Sequence, residues 1–180
     1  MKGLQPLLKT VLAALNADGL LDTYMGGTAY AFSVEAPHTQ ALPYITVNTV
    51  SIADWSAGSF DGDEIQFQVA AHFRRGRDGD GTGVQDVAKA CERIRDILTH
   101  RDGFTLDESP SEGESLTINP ITGPVLSGDT GLRLLMCRYV SGVIVPGLND
   151  DPSGNIVLGK ARGQSISGVV TFRAIISPNT

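Results

Sequence analysis

Between Glu64 and Arg74 the chain alternates with a period of two. Ile65, Phe67, Val69, Ala71 and Phe73 fall on one side, and Gln66, Gln68, Ala70, His72 and Arg74 on the other. Successive strand side chains point to opposite faces, so this run reads as a half-buried strand with one dry face and one wet face. Antiparallel sheets tolerate one solvated face, whereas parallel sheets bury both. The rest of the chain must therefore supply partner strands and an apolar layer for one side.

Two segments can form that layer. Leu4, Leu7, Leu8, Val11, Leu12 and Leu15 recur at helical spacing, with Pro6 tolerated in the opening turn and Gly19 read as the stop. A second helix is expected over 84–99, opened by Thr82-Gly83-Val84-Gln85 as a capping box, with Val84, Val87, Ala88, Cys91, Ile94 and Leu98 as its apolar stripe. Asp86 with Lys89 and Glu92 with Arg95 are spaced to pair on its outer face, and His100 is placed to complement the helix dipole. Residues 20–42 show no sustained period and read as a long connection with a short extended piece.

Ile45 and Val47 alternate with Thr46 and Asn48, giving a strand that pairs with 64–73 across the turn-rich stretch 53–63. Further strands are expected at Ser115–Asn119, Leu132–Val145 and Ser165–Ile176. Leu132, Leu134, Leu135, Met136 and Cys137 are apolar on both faces, which predicts a central strand. The predicted fold is α+β: a mixed, mostly antiparallel sheet with an N-terminal helix and one long helix packed on it. It forms a single domain over 1–180, with loop insertions at about 107–114 and 146–163.

The chain has 180 residues, with 20 acidic against 14 basic side chains and a formal charge of −6. That balance disfavours a dedicated grip on nucleic acid phosphates. No apolar run is long enough to span a bilayer and no signal-peptide core forms at the N-terminus, so the protein is expected to stay in the cytoplasm. The cysteines, Cys91 and Cys137, are too few for a disulfide framework and read as buried reduced thiols.

Catalytic and metal motifs fare poorly. Asp129-Thr130-Gly131 matches the triplet of aspartic proteases, in which two such chains pair their carboxylates, but Ser127-Gly128 precedes it as in a hairpin turn. Asp78, Asp80, Thr82 and Gly83 imitate an EF-hand loop, yet Lys89 stands where a bidentate Glu is needed. Gly79 and Gly81 suggest a dinucleotide turn, but Val84 replaces the third glycine. His38, His72 and His100 have no metal-ligand spacing, and Gly163-Gln164-Ser165-Ile166-Ser167 lacks the second glycine of a nucleophile elbow. No catalytic residue, cofactor or metal site is assigned. Arg74, Arg75 and Arg77 form the basic cluster, a solvated strand end or a subunit contact.

The order of elements carries a resemblance. Leu42-Pro43-Tyr44-Ile45, Asp54-Trp55, Phe60-Asp61-Gly62, the 64–73 strand and the 84–99 helix, preceded by the 4–15 helix and followed by strands over 132–176, resemble the tail-terminator (tail-completion) proteins of long-tailed bacteriophages. The long 20–42 connection, the acidic 107–114 loop and the 146–163 arm depart from that pattern. The resemblance implies a structural protein of the virion, located at the neck end of the tail and assembled in the host cytoplasm. It implies a homo-oligomeric ring, usually a hexamer, that caps the tail tube, stops its polymerisation and joins the tail to the head connector or stopper. DNA would pass through without specific binding, and neither an enzyme activity nor a membrane partner is implied. Another neck ring, a head-completion or stopper protein, is the alternative, followed by a hydrolase using Asp129. Subunits are expected to meet through sheet and helix edges, with Arg74, Arg75 and Arg77 as candidate interface charges. Candidate docking residues are Trp55 and Phe60 at the hairpin tip and Asn149, Asp150 and Asp151 in the arm, with Trp55 serving either as a lid on the core or as a partner anchor.

Overall fold

The computed structural model describes residues 3–28, 30–37, 40–55, 62–74, 84–101, 132–146 and 165–178. In chain order these form α1 (Leu4–Asn16), α2 (Gly19–Met25), β1 (Ala31–Ser33), β2 (Tyr44–Asp54), β3 (Asp63–Arg74), α3 (Val84–Leu98), β4 (His100–Arg101), β5 (Leu132–Pro146) and β6 (Ser165–Pro178). The strands build one sheet in the order β1-β2-β3-β6-β5-β4. Only the β1–β2 pair is parallel. The expected α+β architecture with a mostly antiparallel sheet is thus what the chain adopts.

The alternating run of β3 sets the two faces. Ile65, Phe67, Val69, Ala71 and Phe73 are fully buried, and the register places Phe67 opposite Phe172, Val69 opposite Val170 and Phe73 opposite Ile166. Phe67 and Phe172 stack with centroids 5.4 Å apart, a contact worth about 0.5–1.5 kcal/mol beyond the area it buries. The helices lie on this apolar face. Leu7, Val11 and Leu15 of α1 and Val87, Ala90, Ile94, Ile97 and Leu98 of α3 join the same core. Pro6 gives up a backbone donor that the first turn of α1 leaves unused, and its carbonyl accepts the Thr10 hydroxyl at 2.8 Å.

Several expectations are corrected. Gly19 does not stop a helix; it opens α2 inside the stretch read as a connection. The cause is Asp18, whose extended backbone and side chain accepting the Leu21 N–H at 2.7 Å make it an N-cap. Gly26, in the left-handed region at φ 77, closes this short helix. β1 is the short extended piece foreseen in 20–42. β2 runs on to Asp54, because a bulge between Thr49 and Ser51 breaks the alternation without breaking the ladder.

β5 is not central. Its outer neighbour β4 pairs only with Cys137 and Met136, and β3 and β6 fill the middle of the sheet. The apolar run that suggested a central strand contains a bulge between Leu134 and Met136, which lets consecutive apolar residues share one face. On α3, Val84 is 60% exposed and Cys91 only half-buried, so the stripe is rotated towards Ala90 and Ile97. Lys89 does approach Asp86, at 3.9 Å. Arg95 lies against Asp96 at 3.3 Å rather than pairing with Glu92, an exchange that costs little between exposed charges. His100 is not a helix end: the Thr99 N–H and hydroxyl both donate to the Arg95 carbonyl, at 2.9 and 2.7 Å, and His100 starts β4. The Ser115–Asn119 strand, the capping box from Thr82 and the 107–114 loop lie outside the described residues.

Candidate docking and subunit surfaces

α1 and α3 pack on one face of the sheet, with α2 against α3, and the other face is built by the alternate residues of β2, β3, β6 and β5. Their polar side chains tie the strands together. His72 stands between two hydroxyls, with Nε2 3.0 Å from Thr46 Oγ1 and Nδ1 2.8 Å from Ser167 Oγ, so that one ring nitrogen donates and the other accepts. The Tyr44 ring lies 4.9 Å from the imidazole. Gln68 Nε2 donates to Thr171 Oγ1 at 3.3 Å, and Ser51 Oγ to Gln66 Oε1 at 3.3 Å. A serine beside an imidazole is half of a nucleophilic pair, but here the second nitrogen is taken by the Thr46 hydroxyl and the three residues act as a tie across β2, β3 and β6.

Lower on the same face, Arg173 donates to the Glu64 carboxylate across the β3–β6 pair. Arg138, opposite Arg173 in register, adds positive charge. The hydrogen bond from Arg173 holds the Glu64 carboxyl below its usual range; the charges of Arg173 and Arg138 act in the same direction and burial opposes them. The same bond raises the Arg173 guanidinium.

At the foot of the sheet, the Trp55 N–H donates to the Gly62 carbonyl at 2.8 Å and closes the β2–β3 connection. Trp55 is half-buried, with its ring close over Gly62. A Cβ at that glycine would lie 3.3 Å from Trp55 Cε3 and 2.6 Å from the Ile176 carbonyl.

The pair that sequence reasoning missed is Asp18 and Arg93. Arg93 Nε and Nη2 donate to the two carboxylate oxygens at 3.1 and 2.6 Å, with the side chains 15% and 5% exposed. An Asp preceding a Gly-Leu-Leu run was the available signal for a cap; nothing in the spacing marks a partner so far along the chain. The bond to Asp18 raises the Arg93 guanidinium further, against the effect of burial.

The family model for Tail completion protein gp17 matches residues 9–108, over half of the chain. The chain belongs to this tail-completion family. A solved chain from the virion of a native gene transfer agent (GTA) particle has the same fold, with a TM-score of 0.55 at 17% identity, covering 95% of this chain and 94% of that one. No curated protein matches the chain. As a tail-completion protein, it is a structural component of the phage tail within the virion.

In this tail-completion fold, Arg74 ends β3 at the margin of the sheet opposite Trp55. Phe60, Arg75, Arg77, Asn149, Asp150 and Asp151 lie outside the described residues, as do Asp129, the Asp78–Gly83 turn and His38. Among the described residues no group of three or more His, Cys, Asp or Glu is arranged to hold a metal ion. Among the same residues no helix is long and apolar enough to cross a membrane.

Proposed function

We propose that this protein is the tail terminator, a ring subunit that caps the tail tube, stops its polymerisation and joins the tail to the head connector. The match of residues 9–108 to the tail-completion family carries the reading. A one-sided sheet supports it: helices brace the apolar face and leave a broad polar face tied across its strands, a rigid wall that needs no chemistry. The formal charge of −6 suits a ring, hexameric in this reading, through which DNA slides without adhering. Trp55 at one end of the sheet, Phe60 of the same connection, and Asn149, Asp150 and Asp151 in the 146–163 arm are the proposed docking residues for tube and connector. Arg74, Arg75 and Arg77 are proposed to face acidic groups of the adjacent subunit.

The test is electron microscopy of particles made without this protein. A terminator predicts overlong tails unattached to heads. Tails of normal length beside heads that have lost their DNA would indicate a stopper or head-completion ring instead.

A further inference from the structure

The second half of β5 carries exposed apolar side chains. Tyr139, Val140, Val143 and Val145 are 42%, 45%, 57% and 43% exposed. Among the described residues, only β4 lines the outer edge of this strand, and only at Met136 and Cys137. The opposite margin of the sheet repeats the situation. β1 covers β2 at Ile45, Thr46 and Val47, and the edge from Asn48 to Ala53, with Val50 51% exposed, has no strand beside it among the described residues. A long apolar edge strand invites another chain unless charges, bulges or cover protect it; each stretch carries one bulge, between Thr49 and Ser51 and between Tyr139 and Ser141, and the ladder is regular beyond it, over Ser51–Ala53 and Ser141–Val145.

The two bare edges sit at opposite corners. Ser51, Gln66, Arg173 and Arg138 form one row across the sheet, so the middle of the bare β2 edge is level with Arg138. The middle of the bare β5 edge is Val143, opposite Val169, about four rows further along. The two stretches are equally long, and β2 and β5 run in opposite directions.

Resting on the ring reading above, we propose that the outer edge of β5 from Val140 to Val145 adds, as an antiparallel strand, to the outer edge of β2 from Asn48 to Ala53 of a second copy of this chain. The stagger supports closure. Four rows over the four long strands is one residue per strand, the ratio of shear to strand number that tilts the strands of a closed eight-stranded barrel by about 36°. Copies joined this way turn about a common axis with tilted strands instead of climbing a staircase. The contact is heterologous, edge to opposite edge, as a ring requires. The polar tie of His72, Thr46 and Ser167 would then belong to one continuous wall.

The experiment follows oligomeric state by native mass spectrometry and light scattering over a concentration series. It compares wild type with Val143→Lys/Val145→Lys and with Val50→Lys, since edge lysines block strand addition. Each variant alone is expected to lose its rings by at least tenfold while keeping the wild-type circular dichroism spectrum. An equimolar mixture is expected to form dimers, because each variant retains the edge the other lacks. Amide hydrogen exchange on the unmodified protein supplies a check that needs no variant: amides in 48–53 and 140–145 should be slowed in rings relative to dilute monomer. Rings that persist in both variants, or unchanged exchange at these edges, overturn the edge contact and leave the terminator reading standing. Dimers of Val50→Lys alone would overturn it in favour of a two-fold β5–β5 contact. Wild-type protein that stays monomeric at every concentration overturns the contact, and the tail-length phenotype then judges the terminator reading by itself.

Discussion

Asp18 and Arg93 join the α1–α2 corner to α3 through two parallel hydrogen bonds, while the same carboxylate caps α2 by accepting the Leu21 N–H. One carboxylate thus fixes where the second helix starts and where it sits against the third. Because the pair is nearly dry, deleting one partner strands a buried charge, which costs about 3–5 kcal/mol. Arg93→Ala is expected to lose stability in that range. Asp18→Ala should lose about 1 kcal/mol more, the cap going with the ion pair. Urea denaturation of both single variants and the double variant gives the coupling; a coupling near zero would mean that the pair does not hold α2 to α3.

At Gly168 of β6, α3 comes close to the sheet. A Cβ there would run into Cys91 Sγ and lie 2.8 Å from Val87 Cγ1. Both belong to the first turns of α3, so the helix would have to lift. Gly168→Ala is expected to cost about 1–3 kcal/mol as an overpacked site. Adding Cys91→Ala should recover part of the loss, and thermal melting of the two variants tests this. Equal stability of Gly168→Ala and wild type would show that the helix moves freely at this point.

Much of this architecture was legible because it rests on periods. The alternation of β3, the leucine spacing of α1 and the stripe of α3 each demand one partner surface, and one face of one sheet meets all three. What escaped was set by single residues or by bulges. α2 depends on Asp18 as a cap and is too short to show a helical period. The bulge after Thr49 hid the second half of β2, and the bulge after Leu134 made β5 resemble a central strand. Cross-strand ties such as Thr46–His72–Ser167 depend on register, which becomes visible only once strands are paired. The edges of β2 and β5 that no described strand lines follow from the same order of strands, so no local pattern could announce them.

The thiols are placed to be inert. Burial pushes Cys137 up to about 12 and Cys91, with help from the neighbouring Glu92 charge, up to about 11. The thiolate is the reactive form, so native protein at pH 8 should react slowly with a maleimide at both sites, and more slowly at Cys137. Both should react rapidly in urea. Cys91→Ala and Cys137→Ala should assemble normally, whereas Cys137→Ser should cost about 1–3 kcal/mol if its hydroxyl stays unpaired. Fast native labelling of Cys137 would show that β5 opens at Met136 and Cys137.

The Glu64–Arg173 pair gives the sheet a pH dependence of defined sign. Its hydrogen bond and charges lower the folded-state pKa of Glu64, so the stabilisation is complete above the unfolded Glu value of about 4.3. It disappears as pH falls through the lower folded value. The side chains are 27% and 32% exposed, which keeps the effect modest. Glu64→Gln should therefore be less stable than wild type at pH 7, and the gap should narrow below pH about 4. A gap that stays constant between neutral and acid pH would assign the loss to packing and not to charge.

Trp55 is the chain's single tryptophan, so its fluorescence isolates the question of whether the foot of the sheet docks on a partner. Trp55 is half-buried, its backbone N–H donates to the Gly62 carbonyl, and its indole covers the end of the β2–β3 pair and keeps a solvent-facing part. A lid and an anchor make different demands on that part. If it docks, adding tail tubes to purified protein should shift the emission to shorter wavelength as the ring leaves water. Trp55→Ala should then remain folded yet yield overlong or headless tails, while Trp55→Phe, which keeps an apolar ring, should retain part of the activity. Deleting Asn149–Asn155 tests the arm in the same assay. An unshifted spectrum on tube addition, together with normal infectious particles from the folded Trp55→Ala variant, would make Trp55 a lid on the strand ends and remove it from the docking surface.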